Sequence, residues 1–305
     1  MRTLVVGAGA LGGYIGASLQ RAGRDVGFLV RPNRAAQLAT DGLRVNTAEG
    51  RFTVQPHLVS AATLTAPYDV VLLAVKAYGL ASTMDDISGA VGPDTVIVPV
   101  LNGMRHIAAL ADRFGAEQVF GGATTIGASL DASGEVTQAA TPSQLILGEP
   151  AGGVSPRSLA IAELFTVPGI TARASEAVMQ EMWEKFALLA AYGGFTCLLR
   201  ARIGEILAVP GGGALMADAF AETCTVAAAS GFAPAQAFRN WVLGVFHTPG
   251  SRLRSSMSLD IERGAPTEGE HILGDMQARA RRHGIATSLL DIACIHLRAY
   301  EATRC

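Results

Sequence analysis

The chain has 305 residues, is 50% hydrophobic and 16% charged, and carries a formal net charge of −2. That length suits about two domains with sizeable cores, and the balanced charge leaves no basic surplus for a phosphate backbone, so nucleic acid is not an expected partner. Cys197, Cys224, Cys294 and Cys305 form no CxxC pair and the histidines show no HExxH spacing. Reduced thiols in a cytoplasmic protein fit this better than a disulfide or zinc framework, and no metal is expected.

In chain order, Met1-Arg2-Thr3 leads at once into an apolar strand over 2–6, with no room for the n- and h-regions of an export signal. The GAGALG run Gly7-Ala8-Gly9-Ala10-Leu11-Gly12 follows, then a helix to about Ala22 and a strand over 25–30. Residues 42–56 alternate like a peripheral hairpin about Glu49-Gly50. Apolar strands over 69–75 and 95–101 alternate with helical segments at 80–90 and 105–114, a pattern that predicts a parallel sheet covered on both faces. Residues 123–148 read as strand-rich, with turn signals at Ser133-Gly134 and Thr141-Pro142.

Beyond about Thr171 the period becomes helical, over 175–192, 214–230, 234–246, 268–283 and 288–301. The expected organisation is an α/β domain over 1–173 and an all-helical domain over 174–305. The longest apolar run, 186–199, is too short for a membrane span and contains Gly193, Gly194 and Thr196. A membrane is therefore not an expected partner. The apolar helices could bury a homodimer interface or form one core, and the sequence leaves both open.

A GxGxxG match is weak by itself in a chain with 35 glycines, but here it lies between a strand and a helix at the start of a βαβ unit. Gly7 can make the tight turn, Gly9 lets backbone approach a pyrophosphate and Gly12 permits close helix packing, with the helix N-terminus offering free N–H groups. This is the pattern of a Rossmann-type dinucleotide site, although a purely structural glycine turn would look alike. The second strand ends in Val30-Arg31-Pro32-Asn33-Arg34, without the acidic residue that binds the ribose of NAD. Arg31, assisted by Arg34, could pair with a 2′-phosphate, which favours NADP; the alternative is that both are solvated loop charges.

Only two lysines, Lys76 and Lys185, occur among the 24 basic residues. A lysine can release and recover a proton near neutral pH when buried, which arginine cannot, so both are active-site candidates unless their scarcity is an accident of composition. Lys76 closes the strand over 70–75 and Asn102-Gly103-Met104 closes that over 96–101, at the strand ends where open α/β sheets bind ligands. Asn102 also fits a simple Asn-Gly turn. Taken alone, Lys185 in Trp183-Glu184-Lys185 is more often an ion-paired surface residue, and Glu268 also fits a first-turn helix acid and Ser256 a loop or cap serine.

Taken in order, Gly7-Ala8-Gly9-Ala10-Leu11-Gly12, Lys76, Asn102-Gly103-Met104, Trp183-Glu184-Lys185, Ser255-Ser256-Met257 and Glu268 resemble the ketopantoate reductase (2-dehydropantoate 2-reductase) family across the whole chain. The resemblance implies a Rossmann domain and a helical domain with the active site in the cleft between them. It also implies hydride transfer from NADPH to the C2 carbonyl of a 2-oxo acid, giving (R)-pantoate in pantothenate biosynthesis. Lys185 is then the general acid and Glu268 a partner for the substrate's hydroxyl or carbonyl region. Ser256 holds the substrate carboxylate, and Lys76 and Asn102 position nicotinamide and substrate.

The chain departs from the family where asparagines commonly follow the lysine by one and two turns and precede the matched serine: here stand Leu189, Gly193 and Leu253. These positions face the substrate in the family, so the resemblance carries cofactor and hydride chemistry further than the identity of the acid. Reduction of another 2-oxo acid is the alternative, and a non-catalytic NADP-binding protein is a third reading.

Overall fold

The computed structural model describes residues 1–138 and 143–304, which excludes the Thr141-Pro142 turn signal and Cys305. The chain divides into two compact units, one comprising 1–101 and 106–178, the other 102–105 and 179–305.

In unit 1 a five-stranded parallel sheet runs in the order β5-β2-β1-β6-β7, with β1 (Arg2–Val6), β2 (Asp25–Leu29), β5 (His57–Val59), β6 (Val70–Leu73) and β7 (Val96–Pro99). Alternate residues feed two cores: Val5, Leu72 and Val98 pack into one, Leu4, Val6, Val71, Leu73 and Ile97 into the other. Burial on both faces is why these strands read as unbroken apolar runs rather than alternating ones. The connecting helices are α1 (Ala10–Arg21), α2 (Pro32–Asp41), α3 (Leu80–Asp86) and α4 (Arg105–Phe114). Helix α2 is not in the sequence reading; Pro32 at its first turn, where a missing N–H costs nothing, starts it directly after the strand.

The hairpin is β3 (Leu43–Thr47) and β4 (Gly50–Val54), and it is not peripheral. Leu43 and Val45 are fully buried, β10 (Val136–Gln138) pairs parallel with β3, and β9 (Ala128–Leu130) completes a four-stranded sheet. A third sheet, β12-β11-β8, joins β8 (Gly121–Thr124), β11 (Gln144–Gly148) and β12 (Thr171–Ala174), with α5 (Pro156–Phe165) between β11 and β12. Ser155 caps α5 by accepting from the Ser158 N–H, with Pro156 following. The expected domain break between 173 and 174 thus falls inside β12, whose parallel pairing with β11 keeps it in unit 1.

Unit 2 is helical, built from α6 (Val178–Leu198), α7 (Ile203–Leu207), α8 (Gly212–Ala229), α9 (Gln236–Val245), α10 (Ser256–Glu262), α11 (Asp275–Arg282) and α12 (Ser288–Thr303). The helix expected over 268–283 is continuous over 269–282, but opens with a π-helical segment at Glu270–Gly274 before α11. Gly194 on α6 lets this segment and α12 pack closely, because a Cβ there would lie 2.9 Å from Leu273 Cδ2 and 3.0 Å from Ala293 Cβ. Trp183 anchors the core, stacked on Phe232 at 5.2 Å and covered by the Arg279 guanidinium at 4.8 Å. Among the described residues no helix is long and apolar enough to cross a membrane, and Cys197, Cys224 and Cys294 are buried free thiols.

Candidate functional site

In unit 1 the three motif glycines do three different jobs. Gly7 has φ +91°, and a Cβ on it would lie 2.9 Å from the Ala74 carbonyl oxygen. A Cβ on Gly12 would overlap the Gly7 carbonyl and stand 2.8 Å from Ala74 Cβ, so the helix can lie against the sheet only without one. Above Gly9 there is open space for 4 Å, and Gly9 caps α1 with no side-chain partner for the first N–H groups. The first turn, formed by Ala10 and Leu11 behind the buried Ala8, therefore presents unpaired donors and a positive dipole end to an open position, which fits a pyrophosphate.

The same sheet edge carries the other unit 1 candidates. Gly7 N–H donates to the Leu29 carbonyl at 2.9 Å and Ala74 N–H to the Val6 carbonyl at 3.0 Å, which brings the ends of β1, β2 and β6 together. Lys76, partly exposed, stands at the head of a short 3-10 turn and its carbonyl accepts from Gly79 N–H at 2.9 Å. Arg31 is exposed and extends over this turn, its Nη2 3.2 Å from where a Gly79 Cβ would stand. Arg34 is spent differently: its Nε donates to the Ala8 carbonyl at 3.0 Å and its Nη atoms to the Gly134 carbonyl at 3.1 Å and to Gln37. It braces the glycine turn against the 131–134 turn instead of assisting Arg31.

In unit 2 the structure brings Lys185 and Glu268 together. Lys185 lies two turns into α6 and is partly exposed; Glu268, 5% exposed, opens the turn whose Ile272 N–H donates to its carbonyl at 2.9 Å. Burial lowers the Lys185 ammonium to about 8, while the Glu268 carboxylate acts to raise it. Asn102 and Gly103 belong to this unit and lie against His271, whose ring hydrogen-bonds to the Asn102 backbone. Burial lowers His271 too, against the opposing charges of Glu268 and Asp275. Arg105 bonds to the buried Asp275 at 3.2 Å, and Arg279 reaches the same carboxylate at 3.0 Å. The sequence reading missed His271, Asp275 and Arg105; nothing local marks a His and an Asp four residues apart in a polar helix as anything but surface.

The serines separate. Ser255 is buried and caps α10, its Oγ accepting from Ser258 N–H at 3.1 Å and lying 2.9 Å from Thr196 Oγ1 on α6. Ser256 is exposed at the first position of α10, leaving its hydroxyl on the surface of this unit. Gly193, two turns beyond Lys185, is covered by Met257: a Cβ there would stand 2.9 Å from Met257 Cε and 3.8 Å from Ser255 Cβ. Leu189 is partly exposed on the intervening turn, and Leu253 is exposed.

A parallel α/β unit with a glycine-turn anion cradle, followed by a helical unit carrying a lysine–glutamate pair, defines a two-unit oxidoreductase class. Models of two domains, described as Ketopantoate reductase PanE/ApbA and Ketopantoate reductase PanE/ApbA C terminal, match residues 3–152 and 177–301. The chain belongs to the ketopantoate reductase family. It is 35% identical over 304 residues to the uncharacterized oxidoreductase YkpB of Bacillus subtilis (strain 168), covering 100% of both chains. The crystal structure of 2-dehydropantoate 2-reductase from Geobacter metallireducens GS-15 superposes with a TM-score of 0.89 at 30% identity, covering 99% of this chain and 100% of that one. A ternary structure of D-mandelate dehydrogenase with NADH and anilino(oxo)acetate shares the fold, with a TM-score of 0.91 at 21% identity and 99% of each chain covered.

Proposed function

We propose that the protein is an NADPH-dependent 2-oxo acid reductase that converts 2-dehydropantoate to (R)-pantoate on the route to pantothenate and coenzyme A. The observation that carries this reading is the partly buried Lys185 facing Glu268, an ammonium brought to about 8 and so able to give up its proton near neutral pH. The nicotinamide cofactor supplies the hydride for the C2 carbonyl. Lys185 Nζ donates its proton to the oxygen on which negative charge develops, a role worth about 10²–10⁴-fold in general acid catalysis. Glu268 holds that ammonium in its charged form and accepts from the substrate's hydroxyl region, Ser256 takes the substrate carboxylate, and Asn102 and Lys76 orient the reacting groups. The turn from Gly7 to Gly12 binds the pyrophosphate through backbone N–H groups, and Arg31 pairs with the 2′-phosphate. These roles are compatible with a cytoplasmic enzyme.

A second reading, reduction of a different and less polar 2-oxo acid, is favoured by the strip of α6 beyond Lys185. Leu189 and the Met257 methyl over Gly193 offer a hydroxylated substrate no hydrogen-bonding side chain at those two turns. Purified protein, NADPH and a panel of 2-oxo acids separate the readings by initial rate. Preferred turnover of 2-dehydropantoate supports the first, preferred turnover of an aliphatic or aryl 2-oxo acid the second, and cofactor binding with no turnover of any acid overturns both.

A further inference from the structure

Residues 102–105 interrupt unit 1 and pack with unit 2, and two contacts account for it. At one end Gly103, with φ +82°, lies flat on His271: a Cβ there would stand 2.9 Å from the ring Cδ2 and 3.2 Å from the His271 carbonyl oxygen. The ring also donates to the Asn102 carbonyl. At the other end Arg105 Nε meets Asp275 Oδ1 at 3.2 Å, and the second oxygen of that carboxylate is held by Arg279 Nε at 3.0 Å. His271 and Asp275 stand four residues apart, on the π-turn and at the start of α11, so successive turns of one helical segment grip the two ends of the 102–105 segment.

We infer that His271, with Asp275, forms a two-point clamp on the Asn102–Arg105 segment, and that His271 is the positioning residue that aims Asn102 at the reacting groups. The inference rests on the role proposed above for Asn102. An Asn-Gly pair with positive φ at the glycine has no conformational stiffness of its own, so its direction must be imposed from outside. A hydrogen bond to the Asn102 carbonyl fixes the peptide from which the Asn102 side chain departs. Asp275 does the complementary work: its two guanidinium partners satisfy both carboxylate oxygens in a buried setting, where one charge alone would be costly. Because His271 sits three residues after Glu268, one short segment carries both the carboxylate facing Lys185 and the donor that holds Asn102.

The test is a double-mutant cycle on turnover of the best 2-oxo acid with NADPH, joined to a measurement that needs no substrate. His271→Leu is expected to lower kcat about ten- to a hundredfold, the scale of an ångström-sized misplacement, while changing NADPH affinity less than about threefold. His271→Asn, whose amide N–H can replace the ring donor, is expected to recover most of that loss. Adding His271→Leu to Asn102→Ala should cost little further kcat, since the histidine acts through the asparagine. Additive losses, or a His271→Asn protein as impaired as His271→Leu, would overturn the inference. Amide hydrogen exchange of residues 102–105 in the ligand-free protein reads the clamp directly: faster exchange in His271→Leu, with helix α8 unchanged, is the expected result, and equal exchange defeats the proposal. If His271→Leu does not fold, His271→Met, which also lacks a donor, takes its place in both arms. A wild-type protein that turns over no 2-oxo acid would defeat the reductase reading, while the exchange arm would still decide the clamp.

Discussion

Lys185 and Glu268, 83 positions apart in sequence, face each other in unit 2 with opposed effects on one proton: burial lowers the ammonium to about 8, and the carboxylate holds it from falling further. A lysine so placed is still charged at neutral pH, yet can be deprotonated by a modest change in its surroundings, which is the condition for a general acid.

The pH dependence follows from that pairing. In the role proposed for it, Lys185 must carry its proton in the direction of carbonyl reduction, so kcat should be level below about pH 8 and fall about tenfold per pH unit above it. The reverse reaction, which needs the neutral amine, should rise through the same range. Glu268→Gln removes the influence that raises the ammonium and should move the falling limb to lower pH. Lys185→Arg keeps the charge but cannot give up the proton, and should lose roughly 10²–10⁴-fold in kcat while binding NADPH normally. Rate profiles on wild type and both variants check this, and an unmoved limb in Glu268→Gln contradicts the coupling.

The same shift has a stability consequence. A lysine brought from 10.5 to about 8 on folding binds its proton less tightly in the folded chain than in the unfolded one. Its cost to stability is therefore fully present below about pH 8 and fades as pH rises toward 10.5. In a Glu268→Gln background, where no buried carboxylate is left unpaired, Lys185→Met should melt a few degrees higher than Glu268→Gln alone at pH 7, on the scale of about 2–4 °C per kcal/mol, with the gap closing above pH 10. Thermal melts at the two pH values test it, and a variant that melts lower at pH 7 refutes it.

Glycine substitutions should separate fold from binding within one six-residue turn. An added methyl at Gly12 meets the Gly7 carbonyl and Ala74 Cβ, both fixed parts of the sheet edge. Gly12→Ala should lose about 1–3 kcal/mol of stability by overpacking. At Gly9 the methyl enters open space, so Gly9→Ala should melt like wild type and yet bind NADPH more weakly, by about tenfold or more if the pyrophosphate occupies that space. Melting curves and NADPH fluorescence titration on the pair give the answer.

The parallel sheet and its glycine turn were legible because the physics is local: Val70–Leu73 must be apolar on both faces, and the turn after β1 must lack Cβ atoms. The second and third sheets were not, since β10 meets β3 across some 90 residues and no local pattern encodes that parallel pairing. Helix α2 was hidden by its own start: Arg31-Pro32 looks like a cofactor loop, and Pro32 at the first turn makes it a helix as well. At the site, Lys185 and Glu268 emerged from ordered motifs rather than spacing. The Ser255-Ser256 pair concealed a division of labour, Ser255 turning in as a cap on α10 and Ser256 out. The clamp from His271 and Asp275 depends on which loop reaches the π-turn, a tertiary fact with no sequence period.

That division of labour between the serines makes a paired test. Ser255→Ala removes the acceptor for Ser258 N–H and the partner of Thr196 Oγ1 in a buried setting, and should cost about 1–2 kcal/mol. Ser256→Ala touches only an exposed hydroxyl, so its melting temperature should stay within a degree or so of wild type while KM for the 2-oxo acid rises about tenfold, the loss of one charge-assisted hydrogen bond. A Ser256→Ala protein with unchanged KM removes that residue from the substrate site.

Arg31 and Arg34 stand three residues apart, carry the same charge, and should behave oppositely. Arg31 is exposed beside the Gly79 turn and is the side chain proposed to pair with a 2′-phosphate. Its replacement by alanine should therefore leave stability nearly unchanged and lower kcat/KM for NADPH about ten- to a hundredfold, the scale of about 1.5–3 kcal/mol for a charged hydrogen bond. NADH, lacking that phosphate, should be used as well as before, so the preference narrows or inverts. Arg34 gives its guanidinium to the carbonyls of Ala8 and Gly134 and is partly buried there. Arg34→Ala leaves both carbonyls short of a donor, and should destabilise the fold by about 1–3 kcal/mol and weaken NADPH and NADH together, since the turn it braces is the one proposed to hold the pyrophosphate common to both. Steady-state rates with each cofactor, set beside melts of the two variants, distinguish recognition from bracing. Equal losses for NADPH and NADH in Arg31→Ala would take the 2′-phosphate away from Arg31 and leave the choice of cofactor to another residue.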